Sequence, residues 1–486
     1  MGVSLNPASI LSGQGIDVSS VVQQIITAQS GPLTVWQNQQ ATLQSQAIAL
    51  TAINNDLGHL ATAVQALSDP VGVFVNQTAT SSQPAILTAT AQISATPGSH
   101  NIIVNNLATT GALYTEGIPN ATASILDGAG SGDIQLQVGG ATGTTHDIHI
   151  TAGTNDTLNT LASYINTQSN ANNWGVTASV VTDASGARLA IYSQATGTTG
   201  AVSLSSSTLP NNTTTLTFDA PVGGANASFS IDGVPFSSAS NTVNGAIPGV
   251  TLNLLSSAPG TPVQLTVGVD QSQITSAVND FISAYNTVIN DINTQYTVNP
   301  VTNNEGPAGG DASLRTLQST LLADAAYSLP LNSNSGYVNL ESLGINTNND
   351  GTLTLGKNAA GQTLSDVLAA NPAAVQSFFQ NASSTGFANN LNSDLTGLTD
   401  PTTGPLNVDL AQNQTTLQNL ATNITNFQTQ LTAEQTQLTS QYDAVNASLQ
   451  SYPLLLQQIT QVLGSLGTST SSTGTSPTNP ILTSGL

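Results

Sequence analysis

Apolar positions near the two ends of the chain follow a helical rhythm. Val18, Val21, Val22, Ile25 and Ile26 fall on one face of a helix that Asp17 can cap. Gly31-Pro32 interrupts that face. A second pattern then recurs every seven residues at Trp36, Leu43, Leu50, Leu57 and Val64. Ile53, Leu60 and Leu67 supply the companion position three residues on, giving about four heptads before Asp69-Pro70 closes the segment. Near the other end, Leu417, Ile424, Leu431, Leu438, Val445 and Tyr452 repeat at the same interval. Leu420 and Phe427 are the early companions; Glu434, Gln441 and Ser448 weaken the later ones, where Tyr442 and Leu449 sit one place on. A strict 3.5-residue period implies supercoiling against a partner, and each segment makes a rod of roughly 50 Å. The simplest partner for one rod is the other.

The middle of the chain alternates with period two. Ile134, Leu136 and Val138, Leu189 and Ile191, Val202 and Leu204, and Val263, Leu265, Val267 and Val269 each point an apolar edge one way. One helix is predicted around Leu158, Leu161, Ala162 and Ile165. A helical block returns after Asp270, with Ile274, Val278, Phe281, Tyr285, Ile289 and Ile292 on one face. Asp311 is placed to cap a helix through Leu314, Leu317 and Leu321, and Asn371-Pro372 to open one carrying Val375, Phe378 and Phe379. The fold class is therefore α+β and multidomain: N- and C-terminal helices pair as a coiled-coil leg and enclose β-rich head domains.

Composition narrows the function. Only 6% of the 486 residues are charged, and Arg188, Arg315 and Lys357 are the only bases against 25 acids, for a net charge of -22. Three scattered cations cannot form a phosphate-binding patch or attract anionic lipid, so nucleic acid and membrane surfaces are excluded as partners. No apolar run is long enough for a membrane-spanning helix. No basic region precedes an apolar core, so cleaved-signal secretion is not expected, and cysteine is absent. Beyond Leu466 the tail is rich in Ser, Thr, Gly and Pro, a composition expected to stay mobile.

Candidate chemistry is sparse. His146 and His149 lie three apart on a strand, hence on opposite faces, and cannot chelate one ion together. Asn346 through Gly351 imitate the start of a calcium loop, but Asn346 and Lys357 occupy its first and twelfth positions. A hairpin turn at Asn349-Asp350-Gly351 between Ile345 and Leu353 accounts for the same letters. Asp280 and Asp291, eleven apart on a helix, read as a solvated face. Trp36 reads as seam packing, while Trp174 is the one aromatic placed to stack on a sugar. No metal, cofactor or catalytic residue is expected. The assembly candidates are Val21, Ile25, Trp36, Leu43, Leu50, Leu57, Val64, Leu417, Ile424, Leu431, Leu438, Val445 and Tyr452.

Ordered motifs along the chain resemble the FliD family, the flagellar hook-associated protein 2 that caps the filament. They are Leu11-Ser12-Gly13-Gln14-Gly15-Ile16-Asp17-Val18, with Ile25, Ala28 and Pro32-Leu33; Gly249-Val250-Thr251-Leu252; and Pro259-Gly260-Thr261-Pro262-Val263 with Val267. Val278, Phe281 and Tyr285-Asn286 follow, then Gly310-Asp311 before Leu314-Arg315, Leu343-Gly344-Ile345, Asp350-Gly351-Thr352-Leu353, Phe378-Phe379, and Gln441-Tyr442 with Leu449. Residues 133–205 resemble a module shared by flagellin, hook-associated and cap proteins, through Leu158, Leu161-Ala162, Ile165-Asn166, Gly175-Val176-Thr177-Ala178 and Arg188-Leu189.

The resemblance implies export by the flagellar type III route and a ring-like homo-oligomer, a pentamer by family likeness, at the distal filament tip. It implies contacts with flagellin, a hook–filament junction protein and a cytoplasmic export chaperone, and in some members adhesion to host surfaces. Two departures stand out. Ala28-Gln29 replaces the common Ala-Glu, and after Leu417 the C-terminal rod has only Glu434 and Asp443, which speaks against charge-set register. Mutual repulsion at -22 per subunit predicts tighter rings at high salt.

Four parts are expected: a terminal helical region (1–40 and 453–486), mobile when unassembled; a helical leg domain (41–77 and 271–452); an inner β domain (78–111 and 216–270); and an outer inserted β-rich domain (112–215). The expected function is a structural assembly factor that caps the filament and promotes folding and insertion of exported flagellin. A hook–filament junction protein and a secreted adhesin binding host glycans are the alternatives, and the long helical block at 271–380 favours the cap. An enzyme survives only as a glycan hydrolase with an unrecognised carboxylate pair.

Overall fold

The structure, a computed structural model, describes residues 17–209, 216–301, 303–329, 336–381 and 383–468. Most of the N-terminal motif at Leu11–Asp17 and the Ser/Thr-rich tail after Thr468 lie outside them.

Two helices open the chain, α1 (Val18–Gln29) and α2 (Gly31–Ser68). Asp17 caps α1 by accepting from the Ser20 amide at 3.1 Å, and the Ser19 hydroxyl at 2.6 Å holds its carboxyl below the usual range. The break at Gly31-Pro32 is a single residue, Ser30, and Pro32 sits in the first turn of α2, where a missing N–H costs nothing. Strands β1 (Gln77–Ser81), β2 (Leu87–Ala91) and β3 (Gly98–Asn106) come next. An inserted unit follows: β4 (Thr110–Tyr114), β5 (Ser131–Val138), β6 (Thr144–Thr151), α3 (Leu158–Asn172), β7 (Val176–Asp183), β8 (Gly186–Thr196) and β9 (Val202–Ser207). The chain then returns through β10 (Ala227–Ile231), β11 (Val234–Ser238), β12 (Thr242–Ile247), β13 (Val250–Leu254) and β14 (Val263–Val269).

Two β cores result. The inner one joins an antiparallel sheet of order β1-β14-β3-β10-β11 to a smaller one of order β12-β13-β2. Residues from both sides of the insertion fill it, including Leu87, Ile102, Val104, Phe229, Leu252 and Leu265. The outer one packs sheets β4-β8-β7 and β6-β5-β9 with α3 around Leu136, Ile148, Leu161, Ile165 and Leu189. Arg188 ties this unit to its exit. Its Nε donates to Asp183 Oδ2 at 2.9 Å, and its Nη1 donates to the Thr115 carbonyl and to Asp219 Oδ2, each at 3.1 Å.

The third core is helical. After β14, Asp270 caps α4 (Gln271–Tyr296), accepting from the Ser272 and Gln273 amides. Then come α5 (Ala312–Ala325), the hairpin β15 (Ile345–Thr347) and β16 (Leu353–Leu355), α6 (Leu364–Ala370), α7 (Pro372–Phe379), α8 (Phe387–Leu398) and α9 (Pro405–Thr468). Asp311 and Asn371 cap α5 and α7, accepting from Ser313 at 2.8 Å and Ala374 at 3.1 Å. The Asn349-Asp350-Gly351 turn forms as expected, with Gly351 at φ +84°. Asn286 acts as a surrogate strand edge for β16, donating to the Leu353 carbonyl at 2.8 Å and accepting from its amide at 2.6 Å. Phe281, Tyr285, Phe378, Phe379 and Phe387 form the aromatic centre of this core. At 64 residues, α9 is about 95 Å long and runs uninterrupted through Pro453.

Candidate functional site: the paired terminal helices

Helix α2 lies against α4 and α8 within the helical core and against α9 along one side, while α9 also meets α1. The pairing is antiparallel. Asn54 Nδ2 donates to Asn407 Oδ1 at 3.2 Å, and Asn413 Nδ2 donates to the Leu43 carbonyl at 3.1 Å. Further out, Trp36 meets Phe427 edge-on at 5.4 Å, and Gln29 Nε2 donates to Glu434 Oε1 at 2.8 Å. Rising residue numbers on one strand meet falling numbers on the other.

The thirteen assembly candidates divide along this rod. Leu50, Leu57 and Val64 are wholly buried, because α4 and α8 cover them as well. Trp36, Leu43 and Leu417 are half-buried, while Ile424 and Leu431 are buried between two helices alone. Val21 is buried; Ile25 and Leu438 are half-buried. Val445 and Tyr452 are exposed, at 49% and 60%. The structure thus brings together the candidates up to Leu438 and leaves the last two open.

Several groups were not visible in the sequence pattern. Asp291 does not lie on a solvated face: it is half-buried, and burial together with Asp56 of α2 raises its pKa. Asp324 of α5 faces Asp394 of α8. Burial first, then that neighbouring carboxylate, pushes Asp324 up to about 7, and its Oδ2 is buried without a hydrogen-bond partner. The same carboxylate, after burial, raises Tyr285, whose hydroxyl donates to the Leu321 carbonyl at 3.2 Å. Asn413 is buried with its Oδ1 unpaired. Spacing alone could not show these pairs, because each partner sits on a distant helix.

The other candidates resolve locally. His146 and His149 take opposite faces of β6. His146 stacks on Trp174 at 4.8 Å, where burial lowers its pKa, and the His149 ring nitrogen meets Asp133 at 2.6 Å. Trp174 is half-buried in that stack. Among the described residues no group of three His, Cys, Asp or Glu side chains could hold a metal ion, and no helix is long and apolar enough to cross a membrane.

A split helical leg, two nested β units and a terminal helix pair are the architecture of an axial component of the bacterial flagellum, and the comparisons agree. Residues 14–111 match the family described as flagellar hook-associated protein 2 N-terminus, residues 224–452 its C-terminus, and residues 133–195 the flagellin hook IN motif. The B-type flagellar hook-associated protein 2 of Pseudomonas aeruginosa is 31% identical over 85% of this chain and 89% of that protein. The flagellar hook-associated protein 2 of Escherichia coli is 26% identical over 72% and 75%. A crystal structure of the D1-D2-D3 domains of the flagellar cap protein FliD from Escherichia coli superposes with a TM-score of 0.53 at 26% identity, covering 75% of this chain and 99% of that one. The chain belongs to the flagellar hook-associated protein 2 family, the FliD cap proteins.

Proposed function

We infer that this chain is a structural component of the flagellum that caps the distal end of the filament. One observation carries the reading: family likeness covers both terminal helices and the β units between them, in order. The junction-protein and adhesin alternatives are not favoured.

The finer reading is a ring-like homo-oligomer, pentameric by family likeness, whose paired helices face the growing filament and whose β units form an outer plate. Such a ring would hold exported flagellin while it folds and inserts. Flagellin, a hook–filament junction protein and a cytoplasmic export chaperone are the proposed partners. The proposed working units are a terminal helical region (1–40 and 453–486), a leg domain (41–77 and 271–452), an inner β domain (78–111 and 216–270) and an outer domain (112–215). Contacts in a ring that must step between sites have to be individually weak. A rod bearing Thr, Gln and Asn in place of buried ion pairs supports that, since breaking a buried ion pair costs several kcal/mol. The test is removal of the chain from its source cells. Hooks without filaments, with soluble flagellin in the medium, are expected; filaments of normal number and length would overturn the reading.

A further inference from the structure

The outer part of α9 carries a second apolar seam that nothing among the described residues fills. Between Leu438 and Tyr442 the repeat takes a four-residue step, a stutter that rotates the seam around the helix. Past that step Tyr442, Leu449, Leu456 and Leu463 occupy one core position of the heptad, and Val445, Tyr452 and Ile459 the other. Leu456 and Leu463 are 62% and 63% exposed. Leu455 and Val462, also exposed, widen the stripe on one flank.

We propose that the Tyr442–Leu463 seam is a self-association site, on which the same helix of two or more further copies of this chain packs in parallel. Three features select that occupant. The seam continues the established α1–α9 interface beyond the point where α1 begins. No residue from Ala444 to Thr468 is charged, so copies whose net charge of -22 is carried elsewhere can meet here without repulsion. The letters also choose the order: leucine at the first core position with β-branched residues at the second favours three or four strands over two. A stripe widened by Leu455 and Val462 fits the same count. The parallel orientation rests on the ring reading above; the self-association does not.

The test is sedimentation equilibrium of the full chain at micromolar concentration. A mass at least three times the 49.2 kDa protomer is expected. The double variant Leu456→Asp with Ile459→Asp should lose that association, a threefold or larger fall in mass. Its head should melt unchanged, because both side chains are exposed. Exchanging the core letters, with Ile at 449, 456 and 463 and Leu at 445, 452 and 459, should shift the assembly toward dimers. A wild-type chain that stays monomeric would overturn the proposal, including one that associates only after residues 1–16 are removed. So would a double variant that associates like wild type. Rings formed by that variant in electron micrographs would sink the seam and leave the cap reading standing.

Discussion

The inner and outer halves of the terminal helices share a seven-residue apolar repeat and meet opposite fates. Leu50, Leu57 and Val64 are sealed by three neighbouring helices, while Val445 and Tyr452 on the same repeat face solvent. The difference lies in what surrounds each half. The inner half borders the aromatic core of the leg, and each of its leucines removes its whole apolar surface from water. The outer half has only α1 beside it, and α1 begins at Val18. A heptad therefore marks where an apolar seam runs, and the rest of the fold decides whether it stabilises the subunit or remains available to a partner.

That contrast breaks most sharply in the inner half. Phe281 is fully buried and packs edge-on against Phe387 at 5.6 Å. Phe281→Ala should destabilise the leg by about 3–5 kcal/mol. Thermal unfolding followed by circular dichroism should show the helical signal melting first and the β signal persisting. A single unshifted transition would show that the core is not where the structure puts it.

Leu431→Asp probes the boundary. Leu431 is buried between two helices only, so the charge should separate the rod and leave the three cores folded. Motility should then be lost without loss of soluble protein. Normal capping by this variant would contradict the role given to the rod.

Asp324→Asn tests the carboxylate pair. Asp324 is raised to about 7 in the folded chain, against about 4 for an unfolded aspartate. The folded state therefore binds the extra proton between those values, and the contribution of this group is present at low pH and lost as pH rises toward 7. Asp291 is shifted the same way. The leg should be more stable near pH 5 than near pH 8. Asparagine should recover on the order of 1–2 kcal/mol at pH 8, discounted for partial solvent access, and flatten the profile. Urea denaturation at the two pH values reads this directly. Lower stability of the variant at pH 8 would refute it. The capping carboxylates are shifted oppositely. Asp17, Asp270, Asp350, Asp366 and Asp400 lose their contribution only in stronger acid, as pH falls through their lowered values.

The smallest effect concerns register. Gln29→Glu would set a carboxylate against Glu434. A loosening of at most about 0.5 kcal/mol at low salt, erased at high salt, is expected. A disulfide-trapping rate between cysteines at positions 29 and 434 is sensitive enough to detect it.

What was legible in the sequence was local or periodic. Asp311 and Asn371 announced their helices because a cap acts on the next three amides, and the apolar face of α4 needed only its own spacing. The Asn349-Asp350-Gly351 turn was legible because Gly351 must adopt a positive φ. Asp291 was misread because Asp56, which keeps it from being a simple surface group, lies over two hundred residues away. The Asp324–Asp394 pair and the Asn413–Leu43 bond escaped for the same reason. The register of the rod, which the sequence left open for want of charges, coincides in the structure with the Asn54–Asn407, Asn413–Leu43 and Gln29–Glu434 hydrogen bonds.

The central claim is a location, so it is met most directly by immunogold electron microscopy of the source cells, using antibody against residues 112–215. Label confined to the distal tip of each filament is the result the account predicts. Label at the hook boundary, along the shaft or on the cell body would contradict it.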